Sequence, residues 1–174
     1  MRFQVEKDWT TQAGFRAVVI MGDMGSRCGY VGVPKDHPLY GASYSEPHPA
    51  LTAPSGDEPV GKRGVMSMIC ATPETMSAPF MVFDVHGSLT YSGNGDGNYP
   101  VKSDLWWLGY DCGHAGDGKS PEYMDMQRER YPNSPIMWHD DGVFRSLNYC
   151  VCECESLARQ IVERAVAPVT GATP

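Results

Sequence analysis

The chain has 174 residues, 41 % of them apolar and 20 % charged, a size that fits one domain, residues 1–174, with a substantial core. No window approaches the roughly 18 continuous apolar residues of a membrane helix, and the opening Met1 to Trp9 lacks the apolar region of a secretory signal, so no membrane role and a cytoplasmic location are expected. The net charge of −7 is lopsided: residues 1–63 hold seven Lys/Arg and seven Asp/Glu, residues 64–174 seven and fourteen, which disfavours generic DNA or RNA binding for want of a basic stripe but leaves room for a small anion held by one or two arginines.

In chain order, Gly14 to Met21 reads as a buried strand, Gly22-Asp23-Met24-Gly25 as the turn that ends it, and Arg27 to Val33 as the strand that completes a hairpin. Pro34 and Pro38 stop regular pairing. From 35 to 63 the density of Pro, Gly, Ser and His predicts a long irregular surface loop, in which His37 and His48 are exposed and Tyr40 and Tyr44 either close over a ligand or anchor the loop. A second strand pair is expected from Pro79 to Ser92 and from Val101 to Tyr110, joined by the flexible connector Gly93 to Asn98. That connector lacks the distal Glu and flanking helices of a calcium loop. Pro121 at a first helical position predicts a short helix to Arg130.

From 143 to 167 the period changes to that of a helix: Phe144, Leu147, Val151, Cys154, Ala158, Ile161 and Ala165 follow spacings of three and four. Asp140 or Asp141 is the expected cap, with Pro168 and Gly171 as the stop, and His139-Asp140-Asp141 reads as the capping run rather than a metal site. The fold class that fits is α+β: a mostly antiparallel sheet, one long C-terminal helix packed across it, and long loops. The six cysteines, 28, 70, 112, 150, 152 and 154, read as free thiols. Cys150 and Cys154 share a helix face and Cys152 points away, so three thiolates cannot meet on one metal.

The run from Trp106 to Asp117 carries the site. An aromatic strand turns within two residues into Asp111-Cys112-Gly113-His114-Ala115-Gly116-Asp117, acid, thiol and imidazole spaced by glycines. His86, before Gly87, follows an apolar run; if its strand pairs with Val101 to Tyr110, His86, Asp111, His114 and Asp117 converge. Two site types fit. In the first, these four hydrogen-bond a polar ligand while Trp106, Trp107, Tyr30 or Tyr91 stacks on its flat part and Arg27 meets a phosphate. In the second, His86, His114 and Asp117 coordinate zinc or a similar divalent metal, with Asp111 as base or orienter; the first needs no cofactor. A hydrogen-bonded core His–Asp pair competes with both. Cys112 is disfavoured as a nucleophile because an adjacent acid raises a thiol pKa. HExxH, HxE with PCxxC, Walker A and GxSxG are all absent, which tilts the reading from enzyme to binder and leaves enzymatic activity open.

The blocks Arg27 to Pro34 with His37 to Gly41, Asp84 to Tyr91, Trp106 to Asp117 and Glu153 to Ala158 resemble a family of small, uncharacterised proteins encoded by bacteriophages and prophages. Ser88 stands where a second glycine is expected after His86-Gly87. The resemblance implies a viral or mobile-element origin and action against host defence or on host metabolism, and the expected location is the host cytoplasm. The expected function is a phage-type binder of a small polar ligand, sequestering a nucleotide-derived host defence signal. The alternatives are a metal-dependent hydrolase built on the same cluster, and a protein inhibitor that acts on a host defence protein. A homodimer is a further expectation.

Overall fold

The computed structural model describes residues 3–54, 69, 72–133 and 142–165. A five-stranded antiparallel sheet has the order β1-β2-β3-β5-β4, with β1 at Phe3–Thr10, β2 at Arg16–Gly22, β3 at Arg27–Val33, β4 at Tyr91–Asn94 and β5 at Trp106–Asp111. Among the described residues it is accompanied by α1 at Pro79–Val82, α2 at Pro121–Arg130 and α3 at Leu147–Arg164. The α+β architecture read from the sequence is thus present, with α3 lying against β2 and β3. Among the described residues no helix is long and apolar enough to cross a membrane.

The sheet separates two apolar layers because side chains alternate along each strand. On the α3 face, Val19, Val31, Leu108 and Tyr110 pack with Cys150, Cys154, Leu157 and Ile161. On the other face, Val18, Ile20, Tyr30 and Trp107 form a second cluster, flanked by Tyr99, Val101 and Leu105 of the segment between β4 and β5. The expected loop from 35, described to 54, sends Leu39, Ala42, Ala50 and Leu51 into the first layer, so its apolar residues make it part of the core rather than a surface excursion. His37 and His48 are partly buried, each accepting a backbone N–H at Nδ1, from Leu39 and Ala50.

Several boundaries move. The hairpin of β2 and β3 and helix α2 fall where the pattern puts them, and α2 starts on the Ser120 hydroxyl, which accepts from the Tyr123 N–H. By contrast β1, whose apolar residues Phe3, Val5 and Trp9 alternate with polar ones up to the irregularity between Val5 and Lys7, was not expected as a strand. The stretch from Pro79 is not a strand: Pro79 supplies a first helical position for the single turn α1, and regular pairing begins only at Tyr91. The second strand of that pair likewise begins at Trp106 and not at Val101. Helix α3 begins after Ser146, whose hydroxyl accepts from the Tyr149 N–H, so Phe144 lies before the helix, stacked under the Arg27 guanidinium at 4.6 Å. Residues 55–63, Cys70, His139 to Asp141, Pro168 and Gly171 lie outside the described residues.

The five described cysteines are free thiols, with Cys150 and Cys154 buried and Cys152 exposed. Ser88 has a left-handed backbone, φ +86°, and its hydroxyl donates to the Phe80 carbonyl at 2.7 Å. Ser88→Ala keeps the backbone strain and strands that carbonyl, so urea denaturation should show a loss of about 1–3 kcal/mol. Ser88→Gly relieves the strain as it loses the bond and should stay within about 1 kcal/mol of the parent.

Candidate functional site

Asp117 is the hub. Its side chain is 2 % exposed, and a carboxylate so placed must be paired on both oxygens to offset its lost hydration. Oδ1 accepts from Arg145 Nε at 2.8 Å, and Oδ2 contacts His86 Nε2 at 2.7 Å and accepts the His114 backbone N–H at 3.0 Å. Burial pushes this carboxyl up, but the hydrogen bonds from His86 and Arg145, the His86 charge and the His114 N–H outweigh it and hold the group below its ordinary value. Arg145 reaches Asp117 because residues 142–145 run beside the turn after β5: Val143 donates to the Gly116 carbonyl and makes a parallel bridge with Asp117.

His86 is fixed from three sides. Its ring contacts Asp117 through Nε2 and the Tyr149 hydroxyl through Nδ1 at 3.0 Å, while its backbone N–H donates to the buried Glu153 carboxylate at 2.9 Å. Two residues earlier, the Asp84 backbone exchanges two hydrogen bonds with Gln160. Glu153 and Gln160, one α3 face apart by two turns, therefore clasp the segment that carries the imidazole. Both are polar residues inside an otherwise apolar stripe, and that interruption is the sequence signal that was available for them. Tyr149 and Arg145 carried no such signal.

His114 is placed differently. Its ring lies over Gly87, where φ is +66° and an added Cβ would sit 2.1 Å from Cε1 and 2.3 Å from Nδ1, so only a residue without a side chain admits it. Among the described residues, its Nδ1 is the buried side-chain nitrogen or oxygen that has no hydrogen-bond partner. Two carboxylate oxygens flank that nitrogen, Asp117 Oδ2 at 3.8 Å and Asp111 Oδ1 at 3.9 Å. Asp111 stands at the mouth, its side chain 38 % exposed, and accepts from the Thr90 hydroxyl and the Gly113 N–H. One ligand atom each from His86, His114 and Asp117 lies within 4.8 Å of the others.

The four polar residues singled out from the sequence thus meet at one corner. The aromatic and arginine candidates do not join them. Trp107 and Tyr30 are buried in the layer on the opposite face of the sheet, the Trp107 Nε1 donating to Ser103 Oγ. Tyr91 packs edge-on against Tyr30 there, because both residues pair with Gly109 from either side. Trp106, on the α3 face, donates to the Ala42 carbonyl. Arg27 holds Glu6 with two hydrogen bonds and donates a third to the Arg145 carbonyl, so its guanidinium is committed to structure and not to a phosphate. Cys112 is buried, its thiol raised well above the ordinary range by its contact with Cys150 and by burial, which suits packing and not nucleophilic attack.

Comparison with protein-family models, with curated proteins and with solved structures gives no match for this chain.

Proposed function

We propose that the protein holds a divalent transition-metal ion between His86, His114 and Asp117 and uses it to bind a small polar ligand. The observation that supports this most directly is the buried, unpartnered Nδ1 of His114 facing two carboxylate oxygens. That pocket of lone pairs repels an anion and suits a cation. Two imidazoles and one carboxylate are the donors that zinc, ferrous or manganous ions take. Tetrahedral zinc bonds set donor atoms about 3.4 Å apart; His86 to Asp117 is 2.7 Å, His114 to Asp117 3.8 Å, and the three ligand atoms lie within 4.8 Å of one another, so local turns of these side chains would bring them onto one ion. The Arg145 guanidinium on Oδ1 leaves Asp117 one oxygen for the ion and fixes its direction.

Hydrolysis of the ligand is the second reading, and the position of Asp111 favours it. An exposed carboxylate beside the donors, but outside the set, is placed to accept a proton from a water whose pKa an ion would lower. The resemblance to phage-encoded proteins supports a nucleotide-derived host signal as the ligand, captured or destroyed in the host cytoplasm, with the bound cation offsetting the acidic surroundings for its phosphate.

Elemental analysis of protein purified without chelator should find close to one transition-metal ion per chain. Calorimetric titration of chelator-treated protein with zinc should give the same stoichiometry, and His114→Ala, at a half-exposed ring, should weaken binding by at least about 100-fold with the fold intact. Protein that carries no ion and gives no heat with zinc or manganese overturns the reading.

A further inference from the structure

On the sheet face away from α3 lies a cavity of about 340 Å³, bounded by the end of β2, the start of β3 and the turn after β5. Its volume is at the small end of ligand pockets, enough for one fused ring system. The apolar part is a corner made by Phe3 and Tyr99, whose rings stand at 90° with centroids 5.1 Å apart, floored by Ile20, with the exposed thioether of Met24 at the mouth. Perpendicular rings give a flat guest one face to stack on and one edge to meet, and a thioether adapts to its outline.

The polar part is concentrated at one end. A Cβ built on Gly113 would lie 3.0 Å from Asp111 Oδ1, 3.6 Å from Ser26 Oγ and 3.8 Å from Lys119 Nζ, so an acceptor, a hydroxyl and a cationic donor gather round one bare Cα. Lys119 donates to Ser26 at 2.7 Å. The nearby Cys28 thiol is pushed up to about 11, chiefly by burial, and so adds no charge to the wall. An anionic guest would face Asp111 and Asp23, a cationic one Lys119, and a purely apolar one would strip water from both without replacing it. A neutral edge with a donor beside an acceptor satisfies the end of the cavity.

We propose that this cavity binds a flat bicyclic heteroaromatic bearing an N–H next to a C=O, the lactam edge of guanine-type purines and pterins. The ring N–H donates to Asp111, the ring carbonyl accepts from Lys119, and the body of the ring fills the corner of Phe3 and Tyr99. Neither contact uses an ion. The proposal goes beyond the cation reading, at a cavity that shares none of the three proposed metal ligands, and it is tested with chelator present so that the two can fail separately.

Guanosine titrated into full-length protein in EDTA, followed by calorimetry, should bind with a dissociation constant below about 1 mM. Adenosine, which turns an amino donor toward Lys119 and a ring-nitrogen acceptor toward Asp111, should bind at least about 10-fold more weakly, because both contacts become repulsive. Asp111→Asn and Lys119→Met should each lose at least about 10-fold while circular dichroism and the unfolding midpoint stay near the parent's. Cys28→Leu, which adds bulk to the cavity wall, should remove binding. The absence of heat with both guanosine and a pterin, or equal affinity for guanosine and adenosine in the parent and in Lys119→Met, overturns the proposal. Metal binding that persists in Lys119→Met leaves the cation site standing.

Discussion

Asp117→Ala should lower the free energy of unfolding by about 3 kcal/mol or more, the usual cost of removing one member of a buried charge network, and should abolish cation binding. The substitution leaves Arg145 Nε, His86 Nε2 and the His114 N–H without their shared acceptor. Asp117→Asn keeps the shape and one acceptor oxygen, so it should cost less and still lose the ion. The effect depends on pH with a definite sign. Because the folded protein holds this carboxyl below its ordinary value, its contribution is fully present above the unfolded value near 3.9 and is lost as the pH falls through the lower folded value. Urea denaturation should therefore show a stability gap between the parent and Asp117→Asn that is present at about pH 5 and closes below about pH 4. A gap that instead widens in acid would mean that the charge of Asp117 opposes folding.

Gly87→Ala should separate the site from the fold. The left-handed backbone costs a side chain about 1–2 kcal/mol, and the new Cβ would sit within 2.6 Å of three atoms of the His114 ring, so the ring must leave. Cation affinity should drop by at least about 100-fold, with a loss of stability of only a few kcal/mol. Gly14→Ala is the control: φ there is +89° with nothing within 4 Å of an added Cβ. It should show the backbone cost alone and bind the ion as the parent does. If both variants bind equally well, His114 is not a ligand.

The elements that the sequence made legible are those whose pattern is local. Ser120 with Pro121, and the Val18 to Val33 hairpin with its Gly-rich turn, contain their own start and stop signals. The stretch after Pro79 does not. An apolar run of that length suits a buried strand or a buried helical turn equally, and the choice was made by packing against α3 and by Gln160 binding the Asp84 backbone. The long helix was visible by its period, but its first turn was overextended because Phe144 keeps the spacing without being helical. At the site, the two imidazoles and the acids meet at one corner, but not through the strand pairing that the sequence suggested for His86: helix α3 and Asp117 hold that segment instead. What could not be read was which sheet face each aromatic would take, since period two says that Trp106 and Trp107 oppose each other and not which of them meets the helix. Nor does spacing along α3 announce that Glu153 turns inward to a backbone amide 67 residues away.

His86 is tied through its main chain to the helix and through its ring to the turn beyond the last central strand. The three side chains are therefore brought together by folding itself, so the cation proposed above would demand only local turns of side chains already in place and little further ordering of the backbone.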